Sequence, residues 1–318
     1  MAYKFTSGSV TSLSSLFDAL DSFLLGTLGW TLAHSGTEMG GPFKIYHSTG
    51  ESGSEDIYIG VYKYRYNSEL CGFQFAGYTG VNTGNNSFDD QPGSWCASAN
   101  CAYCQFDGFP GIPLLDNGTT MKYWFFGDLD YFFIVVKLAG GNYVNAYAGL
   151  MLRHFSNDVY PCVVLGSTRT FTRFEWGCTC CYWCWYQNPL PYRKYTYECQ
   201  ERCAIGYQRN TDNSGWCGRL VTSIYGTHYS KQCLGPTNLV YLLYNLYSSR
   251  SHGFLLSPIY VDVWYTGPRG ELKYIYHVQP GTLPSESVVH VGGDPYIVFN
   301  WVSSEYNARM QIAVRYYE

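Results

Sequence analysis

The sequence predicts a mainly β protein: β-sandwich-like regions, one short N-terminal helix and a Cys-rich, loop-heavy middle. Three observations point there. Aromatic residues make up 19% of the 318 residues, 32 of them Tyr, and Tyr and Trp suit pleated, half-buried surfaces. The 34 Gly supply many tight turns. Helical periodicity occurs in one stretch alone, whereas period-2 alternation recurs along the chain.

That stretch is residues 11–25. Leu13, Leu16, Phe17, Leu20, Phe23 and Leu24 recur at helical spacing, Thr11 or Ser12 can cap the start, and Gly26 can stop it. The expected role is a helix packed on a sheet. Strands follow at 56–66 and 69–78, then an Asn/Gly/Asp-rich loop over 79–93. Residues 121–126 form a third strand, and 131–138 a fourth whose nearly continuous apolar run marks it as central. Gly140-Gly141-Asn142 gives a hairpin turn into a fifth strand over 143–152. The run 162–233 reads as loop-heavy and tied down by its cysteines. Residues 239–247 fit a strand or a short helix. Five short strands end the chain, at 259–265, 272–277, 287–291, 296–302 and 311–316. A Gly267-Pro268-Arg269-Gly270 turn separates the first two, and Gly292-Gly293 lies within the set. Two regions are expected, 1–155 and 156–318. No repeat of 20–50 residues is visible, which excludes a propeller or solenoid.

Composition narrows the function. Hydrophobic residues reach 46%, enough for a substantial core, while charged residues are 14% against about 25% in ordinary soluble domains. A surface poor in charge repels neighbouring copies weakly. The formal net charge of −4 and the scattered Lys and Arg argue against a nucleic-acid footprint. No apolar run is long enough for a membrane span, and residues 1–10 lack the apolar stretch of a signal peptide. The expected site of synthesis is therefore a cytoplasm.

Chemistry-bearing motifs are sparse. There is no P-loop, dinucleotide fingerprint, HExxH or GxSxG in its required context. Asp128-Leu129-Asp130 places two carboxylates two residues apart, and a hairpin turn explains them better than a glycosidase pair. Asp89-Asp90 lies in the Asn/Gly-rich loop, where a solvated turn is favoured over calcium. The seven His are dispersed. No catalytic residue and no cofactor are expected.

The 13 cysteines concentrate in the middle. The candidates for disulfides or metal are Cys101, Cys104, Cys178, Cys180, Cys181, Cys184, Cys199 and Cys203. Cys181, Cys184, Cys199 and Cys203 have spacing that fits a four-thiolate zinc site. Tyr182, Trp183, Trp185 and Tyr186 around them are unlike the small polar residues of zinc knuckles. Disulfides formed in oxidising surroundings are preferred, with buried thiols and zinc as the rivals. The odd total leaves a thiol without an intrachain partner, or bonded to a neighbouring subunit.

Three segments carry a family resemblance. They are the opening strand with SLSSLFDALDSFL and Thr27-Leu28-Gly29-Trp30, the run from Tyr123 to Lys137 continued by Asn145-Ala146-Tyr147-Ala148-Gly149-Leu150, and Gly292-Gly293-Asp294-Pro295-Tyr296-Ile297-Val298-Phe299-Asn300 with the last strand. Together they resemble an uncharacterised family of virion structural proteins from tailed bacteriophages of Gram-negative bacteria. The resemblance covers about a third of the chain and leaves out the Cys178–Cys203 cluster. It implies a non-catalytic, multicopy component of the neck or collar, tail or baseplate, made in the host cytoplasm, released by lysis and resident in the virion. Its partners are then itself and other virion proteins, in a symmetric assembly. A receptor- or glycan-binding protein of the tail tip or capsid surface is the alternative.

Overall fold

The computed structural model describes residues 3–38, 40–65, 71–88, 90–94, 111–139, 141, 143–158, 161–167, 204–209, 216–218, 220–222, 256–263, 267–278, 283–300 and 311–316. Strand β1 is Lys4–Val10, and helix α1 is Leu13–Ser22. The Ser12 side chain caps α1 by accepting the Ser15 N–H at 3.1 Å. Leu13, Leu16, Phe17 and Leu20 are buried on one face. The helix does not stop at Gly26. It widens into a π-helical turn, Phe23–Leu28, and ends at Gly29, whose φ of 80° is left-handed. The wider turn keeps Phe23, Leu24 and Leu28 buried together, and a Cβ on Gly26 would meet nothing within 4 Å. Gly26 is therefore an open helical position, and the left-handed residue at 29 is the stop.

The strands continue as β2 Thr31–Glu38, β3 Gly41–Ser48, β4 Ile57–Arg65, β5 Cys71–Tyr78, β6 Gly111–Leu114, β7 Met121–Gly127, β8 Tyr131–Lys137, β9 Tyr143–Leu150, β10 Leu152–Arg153 and β11 Cys162–Ser167. Then come β12 Ala204–Arg209, β13 Trp216–Gly218, β14 Leu220–Thr222, β15 Leu256–Val263, β16 Gly267–Val278, β17 Val288–Val291, β18 Asp294–Asn300 and β19 Gln311–Arg315. The protein is mainly β with one short N-terminal helix.

Two sheets form. The first has order β1-β7-β8-β9-β11-β6-β5-β4-β3-β2, with β12 added to β11 and β13 to β12. The second has order β14-β15-β16-β19-β18-β17, with β10 on β16. Every pairing is antiparallel. The two sheets interleave along the chain around residue 155: β10 belongs to the second sheet, while β11, β12 and β13, which follow it, belong to the first.

The first sheet curls around α1. Both of its outer strands, β1 and β2, reach the π-helical turn. Phe75, Phe125, Phe132, Ile134 and Val164 point inward to the helix. The opposite face of β7, β8, β9 and β11 carries the second sheet, so the layers run helix, sheet, sheet. Strand β8 shows why its sequence is almost wholly apolar. Phe132, Ile134 and Val136 face the helix, and Tyr131, Phe133 and Val135 face the second sheet. Across that interface Phe299 meets Trp124 edge-on, with ring centroids 5.1 Å apart. The outer face of β3 to β5 is covered instead by the 79–94 loop. Phe88 seats there beside Phe43, Tyr62 and Tyr78, and buried Gln91 holds the loop through the Asn85 and Ser87 carbonyls.

The turn expected at 267–270 needs correction. These are the first residues of β16, paired with β15 and β10. Strands β2 and β3 carry no clear signal in the sequence. In β2 the exposed Thr31, Leu32, Ser35 and Thr37 leave no clean alternation to detect. Residues 239–247 lie outside the described residues.

Candidate functional site

One end of the layered core gathers a lysine and three carboxylates. Asp128 and Asp130 build the β7–β8 turn. Asp128 Oδ1 accepts the N–H groups of Asp130 (2.7 Å) and Tyr131 (3.3 Å), and the Trp30 indole N–H donates to the Asp128 carbonyl at 2.9 Å. Glu51 comes from the β3–β4 loop, which docks on this turn. Its N–H donates to Asp130 Oδ1 at 2.7 Å, and the Ser48 hydroxyl donates to the Leu129 carbonyl at 2.5 Å. Gly50 permits the approach: its φ is 67°, and a Cβ there would lie 3.0 Å from Asp130 Oδ1.

Lys273 arrives from the second sheet. Strand β16 pairs Glu271 with Tyr260 and Tyr276 with Pro258, so residues 272–275 bulge out opposite Ile259 alone. Tyr274 in this bulge has φ of 61°, a strained value for an aromatic residue. The bulge turns Lys273 into the carboxylates. Its Nζ lies 2.7 Å from Asp130 Oδ2, 2.8 Å from Asp128 Oδ2 and 3.1 Å from Glu51 Oε2. The Lys273 side chain is 6% exposed and that of Asp128 1%. The rings of Tyr131 and Tyr274 lie 5.8 Å and 5.5 Å from the ammonium.

Burial pushes the Asp128 carboxyl above its usual range, against the opposing pull of Lys273. Burial also disfavours the Lys273 ammonium, but hydrogen bonds and charge from Asp128 and Asp130 win and hold it above its ordinary value. The three carboxylates offer oxygens within 4.8 Å of one another, close enough to hold a cation. Lys273 supplies that cation from within the chain.

Two further ionic contacts link the layers. Glu286 bridges Lys122 (2.5 Å) on β7 and Lys137 (2.7 Å) on β8, and accepts the Tyr143 hydroxyl at 2.8 Å. Burial opposes its charge, but the two lysines and Tyr143 pull its carboxyl down to about 2. Arg269 holds Asp158 in a two-point contact of 2.5 and 2.7 Å, with both side chains almost fully buried.

Cys101, Cys104, Cys178, Cys180, Cys181, Cys184, Cys199 and Cys203 all lie outside the described residues. Cys71 and Cys162 sit in the core as buried thiols. The Cys71 thiol donates to the Leu114 carbonyl, and burial pushes it up to about 11, far from a reactive thiolate. Asp90 accepts from the Asn85 side chain inside the 79–94 loop, and Asp89 is outside the described residues. Asp128-Leu129-Asp130 is visible in the sequence as a paired-carboxylate turn. Lys273 is not, because it stands 143 residues from Asp130 and only the bulge in β16 turns it inward.

No protein-family model matches the chain, and no curated protein matches it. Among the described residues no helix is long and apolar enough to cross a membrane.

Proposed function

We propose that this chain is a structural component of a tailed-phage virion, in the neck or collar, tail or baseplate, present in several copies and acting by contact rather than turnover. The observation that carries the assembly role is the character of the sheet edges. Among the described residues β17 pairs only with β18 and β2 only with β3. Soluble proteins guard such edges with charge, bulges or proline. The β17 edge reads Val288-Val289-His290-Val291, with Val288 43% and Val291 37% exposed; β2 presents Leu32 at 44%, but a bulge between Leu32 and His34 guards that edge, so β17 is the open one. Some of the few charged side chains, Lys273, Asp128, Arg269 and Asp158, are meanwhile buried in ion pairs, which leaves less charge for the surface. The resemblance adds support, since its three segments meet in one unit: β1 pairs with β7, α1 packs under β8, and β18 packs on β7.

The test combines location with association. Mass spectrometry of gradient-purified particles should find the chain in virions, and light scattering should find the purified protein above monomer mass. Val288→Lys with Val291→Lys should reduce association while leaving the circular dichroism unchanged. A monodisperse monomer absent from particles overturns the proposal. A monomer in particles that binds host glycans favours the receptor-binding alternative.

A further inference from the structure

We infer that Lys273 and Asp128 are the two ends of a self-formed isopeptide cross-link between the second sheet and the β7–β8 turn, with Asp130 as the residue that moves the proton. Position and surroundings carry this assignment, and it does not depend on a virion role.

Four features converge. First, the amine and the carboxyl are in contact, with Lys273 Nζ 2.8 Å from Asp128 Oδ2, and both side chains are nearly excluded from solvent. Positioning of this kind turns a slow bimolecular amidation into an intramolecular one. Second, the two oxygens of Asp128 are differentiated. Oδ1 accepts the Asp130 and Tyr131 N–H groups, which polarise it as a carbonyl and stabilise negative charge on it during attack. Oδ2 faces the lysine and is the oxygen that can leave. Third, a second carboxylate lies on the same nitrogen: Asp130 Oδ2 is 2.7 Å from Nζ and, at 17% exposed, is nearer to solvent than Asp128. Fourth, Tyr131, Tyr147 and Tyr274 wall the site; Tyr131 and Tyr147 stack with centroids 5.1 Å apart. Such walls keep bulk water from reversing the bond.

The step balances without an outside reagent. A proton passes from the Lys273 ammonium to Asp128 Oδ2, giving a neutral amine and a neutral carboxylic acid. Burial favours that neutral pair over two charges, in line with the upward push on the Asp128 carboxyl. The held ammonium is the opposing influence, so the neutral pair is a minor species from which attack and the second proton transfer proceed. The amine lone pair attacks Asp128 Cγ, forming the N–C bond. Asp130 takes the second proton from nitrogen and delivers it to Oδ2. The C–Oδ2 bond breaks, one water molecule leaves, and an amide remains. The chain modifies itself once and turns over no external substrate.

The backbone is consistent with a site built for this purpose. The four-residue bulge in β16 and the left-handed Tyr274 hold Lys273 in place at a conformational cost. Gly149, with φ of 128°, lets β9 pass so close to the turn that a Cβ there would lie 2.3 Å from the Asp130 carbonyl oxygen.

The test is the mass of the full chain, purified, folded, incubated at neutral pH and then fully reduced. The expected result is a wild-type mass one water below that of its sequence, a Lys273→Arg control at the full mass of its own sequence, and a protease digest containing a branched peptide that joins residue 273 to residue 128. Asp128→Asn should still cross-link but lose ammonia instead of water. Asp130→Asn should accumulate the uncross-linked form and approach completion many-fold more slowly. Cooperative urea unfolding of each variant confirms that the site is assembled. A cooperatively folded wild-type chain that keeps the full mass of its sequence overturns the inference. A branched peptide at Asp130 in place of Asp128 overturns the assignment of roles.

Discussion

The same two sheets are joined by two ionic clamps of opposite design. At one end a single cation, Lys273, sits among Glu51, Asp128 and Asp130. At another a single anion, Glu286, sits among Lys122, Lys137 and Tyr143. Both are presented where the backbone leaves regular strand geometry: Tyr274 beside Lys273 has φ of 61°, and Glu286 itself has φ of 64°. They differ in access to water. Lys273 is 6% exposed, whereas Glu286 is 23% exposed and its partners Lys122 and Lys137 are 44% and 37% exposed. Water and salt can replace every partner of Glu286, whereas at Lys273 they reach Glu51, 32% exposed, and Asp130, 17% exposed, but not Asp128, 1% exposed. The lesson is that burial, more than the number of charges, sets both the strength of a clamp and the reactions open to it.

Four measurements test this difference between the clamps. Lys273→Ala has the largest expected effect, a loss of about 3–5 kcal/mol in urea denaturation, because it leaves the buried Asp128 without its partner, ionic or covalent. If its loss is no larger than that of a Glu286 variant, burial is not what separates the clamps. Arg269→Ala should fall in the same range of about 3–5 kcal/mol but toward its lower end, since it strands a single carboxylate, Asp158.

Glu286→Gln should cost roughly 1 kcal/mol at neutral pH, as expected for partly exposed pairs. It also carries a pH signature. The Glu286 carboxyl is held below its ordinary 4.5, at about 2, so the unfolded chain binds more protons between those values. Its contribution is complete above 4.5 and is lost as the pH falls through about 2. The wild type should therefore lose stability across that window, and Glu286→Gln should lose less. Equal slopes for the two proteins would show that Glu286 is not held by its lysines. The smallest effect is expected for Lys122→Ala, about 0.2–1 kcal/mol and diminishing with added salt, since Lys137 remains on Glu286. A salt-independent loss would place this clamp in the same class as the buried one.

Much of the fold was legible because its cause is local. The spacing of Leu13, Leu16, Phe17 and Leu20 fixes one buried helical face wherever the helix docks. The run from Tyr131 to Val136 announces a strand buried on both faces, and the structure covers it with α1 on one side and the second sheet on the other. Gly292 and Gly293 mark the β17–β18 turn, with φ of 61° and 93°. The composition, poor in charge and rich in Tyr, likewise belongs to the chain before it folds. Other features depend on distant neighbours. Residues 267–270 look like a turn by local preference, but pairing with β10 and β15 draws them into β16. Gly26 looks like a helix stop, but burial of Leu28 carries the helix past it to Gly29. Lys273 looks like an ordinary strand lysine. It becomes the centre of the site because the β16 bulge, the β7–β8 turn and the β3–β4 loop converge there from positions up to 222 residues apart. Periodicity and turn chemistry act over a few residues and can be read from the chain. Charge clustering and exclusion of water arise between remote segments, so they exist only once the layers have packed.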